Sequence, residues 1–93
     1  MPNFFGTTTT TAIGDAINIP YMVKSFSIAN KTGGSVTVSA GIVFGSTVVY
    51  WLYNESLAAG ENYVWPGEEI LVEAGYAIFV TASGSSDYYF SIL

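Results

Sequence analysis

Few side chains in this 93-residue chain could carry chemistry, and the carboxylates come first. Glu61, Glu68, Glu69 and Glu73 are its one acidic cluster. Two carboxyls about 5–9.5 Å apart can hydrolyse a glycosidic bond. Neighbours on a strand point to opposite faces, so Glu68 and Glu69 cannot share such a site. Only strand pairing that brought Glu61 or Glu73 close to a partner carboxyl would build one. A solvated edge that discourages strand-to-strand aggregation is the simpler role. Asp15, Asn18 and Asp87 carry the hard oxygen atoms that Ca²⁺ takes. Their spacing fits no loop signature, and such residues are common in turns. Serine is abundant, but without His no conventional catalytic triad forms.

The aromatic residues are more informative. Tyr50, Trp51, Tyr53, Tyr63 and Trp65 lie close together, next to Pro66-Gly67, and Tyr76, Tyr88 and Tyr89 follow. Alternation turns half of any such set into the core. On a surface, Trp and Tyr anchor protein interfaces or stack on sugars. Trp51 and Tyr53 share one phase and Tyr50 and Leu52 the other, so one of these sets is expected at an interface.

Composition excludes several function classes. The chain has no His and no Cys, and its basic residues are two lysines against seven acidic residues. That removes the commonest general base, most transition-metal chemistry and any disulfide framework. No cofactor is expected. Lys24 and Lys31 make no basic patch, and the net charge is −5, so nucleic acid is not an expected partner. The opening residues lack a basic region followed by an apolar one, so no secretory signal is read there. No apolar run reaches the roughly 20 residues of a membrane span. Synthesis in the cytoplasm is expected, and no membrane partner.

The elements that must position these residues read as strands. Residues 1–20, with five consecutive threonines at Thr7–Thr11, are expected to form an extended N-terminal arm, partly paired as an edge strand. Residues 2–12 fully extended would span roughly 36 Å, enough to reach a neighbouring molecule. Residues 21–93 are expected to form one β-domain. Its strands are Tyr21–Ala29, Ser35–Phe44, Thr47–Tyr53, Tyr63–Trp65, Glu68–Glu73, Tyr76–Ala82 and Asp87–Leu93. Asn30-Lys31-Thr32-Gly33-Gly34 reads as a hairpin turn, and Gly45-Ser46 as the next turn. In the first strand Met22, Phe26 and Ile28 share a phase, with Val23 in the other. Thr47–Tyr53 is apolar in both phases, which predicts burial on both faces, one against the core and one against a partner. Strands recur every 8–12 residues with turn signals between them and no helical period. The expected fold is all-β: an antiparallel β-sandwich of about eight strands, jelly-roll or Ig-like Greek key.

Residues 22–30, Met-Val-Lys-Ser-Phe-Ser-Ile-Ala-Asn, lead into Thr32-Gly33 and Val36-Thr37-Val38. Later come Leu57-Ala58-Ala59-Gly60-Glu61, Ile70-Leu71-Val72-Glu73-Ala74-Gly75 and Ile78-Phe79-Val80-Thr81-Ala82-Ser83. Over residues 20–85 this succession resembles small β-sandwich virion structural proteins of tailed bacteriophages. The family's Gly-Asp after the last turn is Gly75-Tyr76 here, so no role for that Asp carries over.

The resemblance implies a non-enzymatic virion protein, a capsid decoration or cement subunit. A tail- or neck-associated subunit is the nearest alternative, and a glycan-binding host-attachment module a further one. The implied partners are a major capsid protein or other virion proteins, and copies of the chain itself, for instance in a trimer. The expected interface residues are Phe4, Phe5, Tyr50, Trp51, Tyr53 and Trp65.

Overall fold

The computed structural model describes residues 2–93. The strands are β1 (Phe4–Thr8), β2 (Thr11–Ile13), β3 (Tyr21–Asn30), β4 (Val36–Phe44), β5 (Thr47–Leu57), β6 (Asn62–Val64), β7 (Ile70–Val72), β8 (Ala77–Ala82) and β9 (Ser86–Ile92). Among the described residues there is no helix. Every pairing is antiparallel. One sheet runs β1-β9-β3, with β6 and β7 sharing the far side of β3; the other runs β2-β8-β4-β5.

The pairings have a simple order. β1 lies on β9, β2 on β8, β3 on β6 and β7, and β4 on β5. The chain is thus one long hairpin, doubled back at Gly45-Ser46. Gly45 has φ +57, and its neighbour Ser46 stays in the ordinary region, the pattern of a type II′ turn. Rolling that hairpin sets β9 beside β3 and β8 beside β4. This is the jelly roll, and it decides between the two sandwich orders expected. β6 and β7 fill one strand position, so nine segments occupy eight positions.

The core lies between the sheets. Val23, Phe26 and Ile28 of β3 and Phe90 of β9 face Val38 and Ala40 of β4 and Ile78 and Val80 of β8. Phe26 stacks on Phe90 at 4.8 Å and on Trp65 at 5.4 Å. Burying each such side chain contributes about 1.5–3 kcal/mol.

Several local expectations change. A bulge between Val23 and Ser25 resets the phase of β3. It puts Val23 in the core with Phe26 and Ile28, and leaves Met22 half-buried. Asn30 does not open a hairpin: the turn after it carries the chain from one sheet to the other. Its buried amide makes this corner. Nδ2 donates to the carbonyls of Gly34 (2.7 Å), Leu57 (3.1 Å) and Ala58 (2.9 Å). Oδ1 accepts from the Thr32 N–H and hydroxyl, both at 2.8 Å.

Within residues 1–20, β1 forms one edge of the first sheet and β2 one edge of the second. The threonine run makes the crossing, with Thr10 N–H donating to Thr8 Oγ1 at 3.2 Å. Both segments find their backbone partners inside the molecule. Met1 lies outside the described residues.

Candidate functional site

The carboxylates stand apart. Glu61 is exposed, and its Oε1 accepts the Ala58 N–H (2.8 Å), which ties its own turn. Glu68, Glu69 and Glu73 are exposed in the segments flanking β7. Among the described residues, no three or more Asp or Glu side chains gather into a metal-binding group. Asp87 sits on β9, where the Thr7 hydroxyl donates to it and Lys31 Nζ lies 3.4 Å away. The Thr7 hydrogen bond, helped by the Lys31 charge, outweighs partial burial and holds its carboxyl below the usual range. Asp15 and Asn18 both lie in the β2–β3 connection, while Asp87 sits at the start of β9 on Thr7 and Lys31.

The six expected interface aromatics divide into two groups. Phe4, Trp51 and Trp65 are half-buried and pack against the core. Phe4 leans on Tyr88 (4.8 Å) and Phe90 (5.6 Å). Trp51 reaches Phe26 (6.0 Å) and Phe90 (6.4 Å). Trp65 lies on Phe26, and its indole N–H donates to the Glu68 carbonyl at 2.9 Å. Phe5, Tyr50 and Tyr53 point to solvent, with Phe5 and Tyr53 each 65% exposed.

This split comes from β5. Its register with β4 shifts twice, between Val38 and Ala40 and between Ala40 and Gly41. Each shift adds a residue to β5, as a bulge does. Asn54, at φ +51, sits in one of them, and its N–H donates to buried Ser39 Oγ at 2.8 Å. The other sets Tyr50 opposite Gly41 and Leu52 opposite Ala40, so Trp51 is the extra residue. Tyr50 and Tyr53 therefore share the outer face, with ring centroids 4.7 Å apart, although simple alternation separates them. Within the molecule, Thr47–Tyr53 is covered on its inner side, at Trp51 and Leu52. Val48, Val49, Tyr50 and Tyr53 are exposed because β5 is a sheet edge.

Two apolar surfaces result, one on each sheet. On the β2-β8-β4-β5 sheet, Ile13, Val43, Val48, Tyr50 and Phe79 with Thr11 and Thr81 line a hollow of about 220 Å³. Phe79 is its floor, only 5% exposed, with the Tyr50 ring set edge-on at 5.5 Å. On the opposite sheet, Phe5 stacks on Tyr89 at 5.6 Å. Beside this ridge runs a groove of about 420 Å³ lined by Thr7, Ser27, Ala29, Asn62 and Asp87. Tyr89, Phe79 and Ile13 were absent from the expected interface set. Tyr89 pairs opposite Phe5, and Phe79 opposite Ile13, contacts of residues far apart in sequence.

Comparison with protein-family models, with curated proteins and with solved structures returned no match.

Proposed function

We propose that this chain is a non-enzymatic virion structural protein, a decoration or cement subunit that stabilises a phage capsid. The observation that carries the reading is the pair of apolar, aromatic surfaces on opposite faces of a small jelly roll. A cement subunit must grip two things, the shell beneath it and the copies or shell subunits beside it. One patch would serve a simple binding module; two opposed patches suit a subunit held between neighbours. Exposed contiguous apolar patches on a small domain mark interaction sites, and Tyr-rich centres are typical of interface hot spots. The resemblance of residues 20–85 to small virion sandwiches supports the same reading. The Phe5–Tyr89 ridge, rimmed by Asp87 and Lys31, is the surface assigned to the shell.

The test is binding of the purified chain to empty capsids of its own phage. The chain is expected to cosediment with them and to raise their melting temperature. Phe5→Ala with Tyr89→Ala is expected to weaken both effects at least about tenfold, the scale of interface hot spots. No binding, or binding indifferent to these changes, would count against the assignment.

A second reading, glycan attachment, draws on the groove beside that ridge, where Thr7, Asn62 and Asp87 offer polar groups next to two rings. A glycan array with no signal, or a signal unchanged by Tyr89→Ala, would remove it.

A further inference from the structure

All nine side chains that carry charge at neutral pH lie off the outer face of the β2-β8-β4-β5 sheet. The strand register shows this residue by residue. Directly paired residues point to the same side of a sheet. The pairs Thr11↔Thr81, Ile13↔Phe79, Ser39↔Thr81, Gly41↔Phe79, Val43↔Ala77, Gly41↔Tyr50 and Val43↔Val48 set that outer face, and none contains a charge. The β5 glutamate, Glu55, pairs with core-facing Val38 and so lies on the inner side of the strand, where it acts on Tyr63. Lys24 and Asp87 belong to the other sheet, and Lys31 pairs with Asp87. Asp15, Glu61, Glu68, Glu69 and Glu73 lie in connections.

We propose that this uncharged face is a self-association surface, occupied by the same face of a second copy of the chain. The charge distribution argues for a copy as the occupant. Each chain carries a net charge of −5. Contact through the connections, which hold Asp15, Glu61, Glu68, Glu69 and Glu73, would bring carboxylates toward carboxylates, and like charges brought together disfavour a pairing. Contact through this face brings none together.

Shape argues the same way. Tyr53, exposed, packs edge-on against Tyr50, which lines the hollow floored by Phe79, and so forms a ridge at its rim. A face with both a ridge and a hollow can fit itself about a two-fold axis, each Tyr53 entering the partner's hollow.

Size is sufficient. The molecule measures 39 × 25 × 19 Å. The shortest extent matches two sheets about 10 Å apart with side chains outside them. The two longer extents then span the faces, which are large enough for the roughly 800 Å² per partner of a stable interface.

The inference deepens the capsid reading, in which one patch grips neighbouring subunits, and its test separates the two. Sedimentation equilibrium and light scattering on the full chain, from micromolar to millimolar, should give a concentration-dependent dimer. Raising the salt should not dissolve it, since no ion pair holds it. Tyr53→Glu and Ile13→Glu, both at exposed positions, should weaken association at least about tenfold while the thermal melt stays close to wild type. Leu71→Glu, on the opposite sheet, should leave it unchanged. A wild-type chain monomeric at millimolar concentration overturns the proposal, as does a dimer dissolved by Leu71→Glu and not by Tyr53→Glu. A monomer that still binds capsids overturns the self-association alone. A dimer that ignores capsids supports the face and overturns the decoration reading.

Discussion

Asn30 spends every polar atom of its side chain on the corner between the sheets. It is buried, and its amide joins the β3–β4 turn to the end of β5. Asn30→Ala leaves three carbonyls without that donor and is expected to cost about 2–3 kcal/mol in urea unfolding. Tyr21 is the opposite case. Its hydroxyl is buried without a protein partner, so Tyr21→Phe should leave stability equal or higher. Burial also raises the Tyr21 phenol above its ordinary value near 10. A group raised in the folded state supports folding below its unfolded value and loses that support as pH climbs past it. Wild type should therefore weaken above about pH 10, and Tyr21→Phe should flatten that limb in thermal melts. Asp87 has the reverse sign. Its lowered carboxyl favours the fold above the usual Asp value, and that contribution is lost as pH falls through the folded value. Melts below about pH 4 should show a loss that Asp87→Asn lacks.

At the scale of elements, β5 decides what the surface looks like. Its bulge at Trp51 depends on Gly41 across the ladder. A Cβ on Gly41 would collide with the Val49 carbonyl and come within 2.9 Å of the Tyr50 Cα. Gly41→Ala should therefore destabilise by about 3 kcal/mol, since backbone has no alternative rotamer to adopt. It should also quench the Tyr50–Tyr53 ring contact, visible as changed aromatic NMR shifts. This is also where sequence reading runs out. The alternation of Val36, Val38, Ala40 and Ile42 toward the core appears in the structure, because β4 is a central strand; Phe44, read in the same phase, is 55% exposed at its end, and Ser39 and Gly41 are buried on the other side. β5 has the same kind of residues, but two added residues shift its phase, and bulges leave no composition signal. Turns were legible as turns, from their Gly, Asn and Ser content. Whether a turn closes a hairpin or changes sheets was not, because Asn30's partners lie 27 and 28 residues away. Phe5, Tyr50 and Tyr53 were legible as candidates; Phe4, Trp51 and Trp65 share their chemistry but lie on the inner side or at the rim of the sandwich.

For the whole molecule, low charge has a location. The sandwich places its charged side chains on one sheet, the strand connections and the inner rim of β5, and leaves the other sheet's outer face uncharged. On the proposed reading, a subunit built this way would meet copies of itself through the neutral sheet and a shell through the Phe5–Tyr89 ridge. Its edges remain a liability, because β5 is long and apolar. Glu55 and the bulges at Asn54 and Trp51 work against open-ended pairing along that edge. The most direct test of the central claim is the copy number of this chain in purified particles, from quantitative gels or mass spectrometry. The account predicts a number proportional to the major capsid protein, as for a subunit spread over the shell. A chain absent from particles, or present in a few copies at one vertex, would contradict it.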